Sequence, residues 1–242
     1  MLGKIAVVGL ALVAGCTNFP GVAPRPVAPT PATSASVASR DAMPSPEQAV
    51  QSFVAVIERV EPVAEKLCRA RTKGVNCDFQ IFVDARLSEP PNAFQTVDKA
   101  GRPIIVFNVA LIADVRNADE IAFVLGHEAS HHILGHIPKR EESAQTTAVL
   151  AAVLAKSAGA GPDEVRNATQ IGAALGARQY SKGFELEADA LGTEIAFIAG
   201  FDPVRGAAFF SRLPDPGDQF LGSHPPNALR QALVRRVADA LR

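Results

Sequence analysis

His127-Glu128-Ala129-Ser130-His131 carries two imidazoles four positions apart, with a carboxylate beside the first. On a helix that spacing puts both rings on one face, one turn apart, where neutral ring nitrogens can hold one metal ion. Glu128 borders the same face. It is placed to take a proton from an attacking water and pass it to a leaving amine, the task of a general base in metal-assisted hydrolysis. Such a short pattern also arises by chance. Val124, Leu125 and Leu134 around it leave open a second reading, a pair of surface or hydrogen-bonded core histidines.

A third ligand bears on that choice. A histidine six residues after His131, with glycine three after it, would mark one arrangement, but those positions hold Ile137 and Leu134. His132 and His136 also stand four apart, with Ile133 where a base would be needed. They are expected on the other flank of the helix or near its C-terminal end, where an imidazole suits the dipole. A carboxylate ligand is available downstream in Ser181-Lys182-Gly183-Phe184-Glu185-Leu186-Glu187-Ala188-Asp189-Ala190-Leu191-Gly192. Glu185 and Asp189 share a helical face. Glu185 can complete a His-His-Glu site for one Zn2+ per chain with a fourth position open. Asp189 can accept the outer ring N–H of a ligand histidine and so set its tautomer. Glu187 reads as a solvated charge.

The elements that must position these groups follow from capping and periodicity. Asn117-Ala118-Asp119-Glu120 reads as an N-cap with acidic residues behind it, opening a helix that is expected to run to Pro138. Ser45-Pro46-Glu47-Gln48 forms a capping-box start. The helix it opens carries Val50, Phe53, Val54, Ile57, Val60, Ala64 and Leu67 at helical spacing, bent at Pro62. Asp78 to Asp84 and Arg102 to Val109 are strand-like, and the turn at Pro90-Pro91 leads into a short edge strand at Asn92, Ala93, Phe94 and Gln95. An extended peptide can add to such an edge through main-chain pairing. Ala148 to Ala155 is an apolar run of eight, too short to span a bilayer. With Ile171 to Ala177 and the break at Gly159-Ala160-Gly161-Pro162 it predicts a hairpin of two closely packed, Ala-rich helices. The class is α+β, mostly helical, with a small antiparallel sheet.

Composition sets limits. The chain has 242 residues, 48% apolar and 20% charged, enough for one domain of ordinary size with a proper core. Twenty-four basic and 25 acidic residues give a formal charge of −1, which offers nothing to a phosphate backbone and argues against nucleic acid as a partner. One Tyr and no Trp argue against an outer-membrane barrel, whose interfaces need aromatic girdles.

The amino terminus reads as an address. Lys4 precedes an apolar stretch from Ile5 to Val13, and Val13-Ala14-Gly15-Cys16 resembles the lipobox of bacterial lipoproteins. That resemblance implies a signal peptide over 1–15 and a lipidated Cys16, and Thr17 rather than Asp leans towards the outer membrane; an ordinary signal peptide or a membrane helix with a chance cysteine is the other reading. A Pro/Ala/Ser-rich tether then continues to Pro44, and the folded domain spans 45–242. In an exported, disulfide-permissive compartment the two remaining cysteines, Cys68 and Cys77, are expected to pair; two free thiols are the other reading, and their spacing does not suit a CxxC-type metal clamp.

His127-Glu128 with His131, followed some fifty residues on by Glu185, Glu187 and Asp189, resembles the HtpX-like and CaaX-prenyl-protease-like zinc metallopeptidases, a gluzincin family. Asn92-Ala93-Phe94, Gly126 to His136, Ala199 to Pro203, and Ser223-His224-Pro225 with Arg230 match as well, so the resemblance covers Glu61 to Arg230. Lys182 departs from the family's usual Arg, away from the metal ligands. The resemblance implies a zincin-type fold and peptide-bond hydrolysis. It points to the exported branch with BepA-like and lipoprotein members, which faces the periplasm of the bacterial cell envelope. Misfolded envelope polypeptides as substrates, a role in protein quality control and an envelope assembly-machinery partner are implied in the same way. In exported relatives a histidine matching His224 lies close to the zinc, so His224 can close the open position at rest or stabilise an oxyanion; an unrelated loop histidine is the other reading. Arg230 can steer substrate carbonyls or pair with a carboxylate. Tyr180 is a weaker candidate for a transition-state hydrogen bond. The rival to a peptidase is a zinc-containing, chaperone-like or His-gated binding lipoprotein with little proteolysis; Glu128 distinguishes them, since a structural zinc site needs no base.

Overall fold

The computed structural model describes residues 43–86, 88–179, 181–215 and 224–242; the expected signal peptide, Cys16, the tether as far as residue 42, and Tyr180 lie outside them. Helix α1 (Pro46–Arg71) opens with the expected capping box, in which Ser45 and Gln48 bond each other's backbone N–H, and it is continuous through Pro62. Its buried stripe is Ala49, Phe53, Val56, Val60, Ala64 and Cys68. The stripe is rotated from the one read off the larger side chains, and Val50 and Val54 are exposed. Cys68, at the end of α1, is disulfide-bonded to Cys77 with Cα atoms 5.7 Å apart, which ties the helix to the start of the sheet.

Strands β1 (Gln80–Asp84), β2 (Ala93–Val97) and β3 (Pro103–Asn108) make a sheet of order β1-β3-β2. The mostly helical α+β class stands, but the sheet is mixed: β2 pairs antiparallel to β3, and β1 pairs parallel to it with Gln80 opposite Ile104. The turn between Asp98 and Arg102 folds β2 directly onto one side of β3, which leaves β1 the other side. An apolar alternation carries no information on strand direction, so only the assembled sheet could show this. The central strand buries Ile105 and Phe107, and Phe53 of α1 meets Phe107 edge-on at 5.1 Å.

After the short α2 (Val109–Asp114), α3 (Ala118–Ile133) carries the two-histidine motif, capped by Asn117 as expected. It ends before Pro138. Gly135 adopts a left-handed backbone (φ 65°, ψ 38°), which a residue without Cβ tolerates, and α4 (His136–Ser157) starts immediately after it. With α5 (Pro162–Gln179), α4 forms the expected hairpin. A Cβ on Gly176 would lie 2.5 Å from the Ser143 carbonyl oxygen, so small residues do let these helices touch. Val149, Leu150, Val153 and Leu154 are exposed on α4. No described helix is long and apolar enough to cross a membrane.

Helix α6 (Ser181–Ile198) brings the acidic motif against α3, followed by a four-residue helix α7 (Pro203–Gly206), a 3-10 turn (Ala207–Arg212) and α8 (Asn227–Ala240). The α3–α6 contact is backbone on backbone. A Cβ on Gly192 would lie 2.7 Å from the His127 nitrogen, and one on Gly126 would lie 2.8 Å from the Gly192 oxygen. Gly192→Ala should therefore destabilise the fold by about 1–3 kcal/mol in urea unfolding, as overpacking does. Gly183→Ala, in the same helix with nothing within 4 Å of the added Cβ, should instead be neutral or stabilising by up to about 1 kcal/mol.

Candidate metal centre

Three side chains from the two touching helices converge. The Nε2 atoms of His127 and His131 are 3.1 Å apart, and Glu185 reaches them with Oε2 at 3.4 Å and Oε1 at 3.5 Å respectively. One donor atom from each lies within 4.8 Å of the others. Two imidazole nitrogens and a carboxylate oxygen are a donor set that suits zinc, and both rings present Nε2 to the common point while Nδ1 is engaged elsewhere. The residues therefore fit a single zinc ion.

Behind His127 lies a buried ion pair. Asp189 accepts the Nδ1 side of His127 at 2.9 Å and is gripped by Arg230 through Nε and Nη2, both at 2.7 Å. Arg230 is itself buried and stacks over Phe210 at 3.8 Å. Burial alone would raise the Asp189 carboxyl, but the hydrogen bonds from His127 and Arg230 hold it below its ordinary range. Burial opposes ionisation of Glu185 as well; His127, His224 and the Arg230 charge overcome it. His224 Nδ1 lies 3.1 Å from Glu185 Oε2, with its side chain about half exposed.

Glu128 stands next to His127 at the mouth of the cleft. Desolvation pushes its carboxyl up to about 7, with Glu185 adding to the rise; His127, Arg230 and the Gln95 amide pull the other way. Helix α3 packs here against strand β2, which is an edge of the sheet. Asn92 and Asp98 bond β3 through their main chains, so by alternation the main-chain groups of Ala93 and Gln95 face away from β3. Asn92 and Ala93 line the cleft on one side of Glu128, with Leu111, Phe123, Phe210 and Leu213 forming apolar walls, and Phe94 lines it on the other.

Sequence reasoning missed two supports. Asn108 accepts the Asn92 and Leu111 amides and donates to the Pro90 carbonyl, so one buried amide sets the approach to β2. His136, expected on the other flank or near the C-terminal end of the helix, lies just past the end of α3, where it is buried and bonded through Nδ1 to His131 Nδ1 at 2.9 Å. The signal lay in Gly135, whose turn carries the chain back towards His131. Glu187, read as merely solvated, meets His136 Nε2 at 3.2 Å.

The family model for peptidase family M48 matches residues 52–238. The beta-barrel assembly-enhancing protease of Yersinia pestis is 32% identical over 145 residues, 56% of this chain and 29% of its own. A putative beta-barrel assembly-enhancing protease of Vibrio cholerae is 31% identical over 144 residues, covering 56% of this chain and 30% of its own. The mitochondrial metalloendopeptidase OMA1 of Arabidopsis thaliana is 28% identical over 138 residues, 55% of this chain and 27% of its own. The chain thus spans less than a third of the length of these relatives.

Because Asp189 and Arg230 compensate each other inside the core, Asp189→Leu should cost about 3–5 kcal/mol in urea unfolding, and the double variant Asp189→Leu with Arg230→Met should recover much of it. The depressed Asp189 pKa fixes the sign with pH. Its contribution is complete above about pH 4, the unfolded carboxyl value, and is lost as pH falls through the lower folded value.

Proposed function

The chain belongs to peptidase family M48 and carries a metallopeptidase domain, and from that premise we propose that it is a zinc endopeptidase cutting extended or misfolded polypeptides of the bacterial cell envelope. The carrying observation is the position of Glu128, a carboxylate poised near neutrality between the His127, His131 and Glu185 donors and the free edge of β2.

In this reading His127, His131 and Glu185 hold the ion, which when bound supplies Lewis acidity towards the scissile carbonyl and the attacking water. Glu128 takes the proton of that water as oxygen bonds the carbonyl carbon, then gives it to the amine nitrogen as the C–N bond breaks. The outward main-chain groups of Ala93 and the Gln95 carbonyl align an extended substrate as an added strand, with Asn92 and Phe94 flanking it, and so demand little of its sequence. Asp189 fixes the tautomer of His127, and Arg230 holds Asp189 in place and keeps a positive charge beside Glu185. The relatives named as beta-barrel assembly-enhancing proteases support an envelope substrate and an assembly-machinery partner. A lipid anchor at Cys16, in the outer membrane and facing the periplasm, belongs to the same proposal.

A second reading rests on His224, whose contact with Glu185 suits a latent enzyme or a zinc-containing binding protein in which this histidine closes the centre. Casein cleavage by protein beginning at Thr17, with zinc content measured alongside, separates the two. The wild type should cleave, and Glu128→Gln should lose about 10²–10⁴-fold while retaining one zinc. Cleavage appearing only in His224→Ala would establish latency. A wild type that holds zinc and cuts nothing would favour the binding protein, and folded protein without zinc would end the metal reading.

A further inference from the structure

His131 and His127 are supported in different ways. The Nδ1 of His127 meets a buried carboxylate, Asp189, at 2.9 Å. The Nδ1 of His131 meets another imidazole nitrogen, Nδ1 of His136, also at 2.9 Å. Two ring nitrogens at that distance need one proton between them, and the contact leaves open which ring carries it. Glu187 decides. Its carboxylate lies 3.2 Å from His136 Nε2 and, when ionised, can only accept, so Nε2 of His136 carries a hydrogen. A neutral His136 then has a lone pair on Nδ1, and the shared proton sits on Nδ1 of His131. That leaves Nε2 of His131, the atom facing His127 and Glu185, with the free lone pair a metal requires.

From this chain of contacts we infer that His136 and Glu187 are positioning residues for His131, a relay that holds it in its metal-binding tautomer from outside the metal centre. The inference rests on the proposed zinc site and adds two residues to it. The fold supports the relay independently of the hydrogen bonds. The left-handed Gly135 directs the chain so that His136 is the first residue of α4, and the His136 ring stacks on Phe184 at 4.3 Å with planes 12° apart. His136 is 3% exposed. The Glu187 side chain is 55% exposed, so its replacement does not open the core.

The test is zinc affinity, measured by competition with a chelator of known affinity, on wild type and four variants whose folding is checked by circular dichroism. His136→Phe keeps an aromatic ring for the Phe184 stack but offers no acceptor, and should weaken zinc binding by about 10–100-fold, the usual loss for such outer partners. His136→Asn puts an amide oxygen near the former Nδ1, where it can accept from His131, and should bind zinc within a few-fold of wild type. Glu187→Gln, with an oxygen still able to accept, should stay close to wild type, whereas Glu187→Leu should lose several-fold. Wild-type affinity in folded His136→Phe would overturn the relay. Should that variant not fold, wild-type affinity in Glu187→Leu would do the same. Equal losses in His136→Asn and His136→Phe would also overturn it, because the ring would then matter as packing and not as an acceptor. A wild type that binds no zinc would overturn the metal site itself, an outcome distinct from failure of the relay alone.

Discussion

The contact between Gly126 of α3 and Gly192 of α6 is the constraint on which the site depends. With no side chain on either glycine, the two backbones come so close that an added Cβ would be within 3 Å of the opposing chain. His127 follows Gly126 directly, and Asp189 and Glu185 lie one and two turns before Gly192. The same approach that lets the helices touch therefore brings two imidazoles from one helix within reach of two carboxylates from the other. A larger residue at the crossing would separate the helices by more than a hydrogen bond can absorb, so the chemistry is set by a packing distance before any polar group is considered.

Such close packing places charge inside the protein, and the surroundings are arranged to bear it. Asp189 is fully buried and ionised because Arg230 and His127 both bond it, and Arg230 is acceptable in the core because Asp189 and the face of Phe210 receive it. Glu120 and Arg212 repeat the device at the start of α3, with bonds of 2.8 and 2.7 Å that pin the 3-10 turn to that helix. Glu128 has no such cation in direct contact, and desolvation leaves its carboxyl near neutrality. The contrast separates carboxylates that stay charged for support from one that can exchange a proton.

The sheet adds Ile105 and Phe107 to the core and also places an edge beside the cleft. Its exposed edge strand packs against α3 and is held to the loop before it by Asn108. A peptide added to that edge would lie beside Glu128 and the candidate metal donors at once. The α4–α5 hairpin meets this arrangement at the start of α4, through His136; beyond it, tight glycine contacts join the two helices and an apolar row on α4 is exposed.

Much of this was legible in the residues alone. The four-residue spacing of His127 and His131, the capped helix around them, Glu185 with Asp189 a turn later, and the pairing of Cys68 with Cys77 all follow from local periodicity and compartment. Helical repeat and capping are short-range properties and can be read from short-range patterns. Strand direction could not, because alternation is the same for parallel and antiparallel neighbours, and the extent of α3 turned on the backbone angle of one glycine. The buried stripe of α1 also differed, since small residues such as Ala49 and Ala64 lie inward on a helix packed against α3. His136 and Glu187 looked like bystanders because their partners are set by a chain reversal and by a helix some fifty residues away. Sequence alone determined which groups could bind a metal and move a proton; tertiary structure decided which neighbours hold those groups in a usable orientation, because hydrogen-bond partners across helices depend on separations of a few tenths of an ångström that no linear spacing encodes.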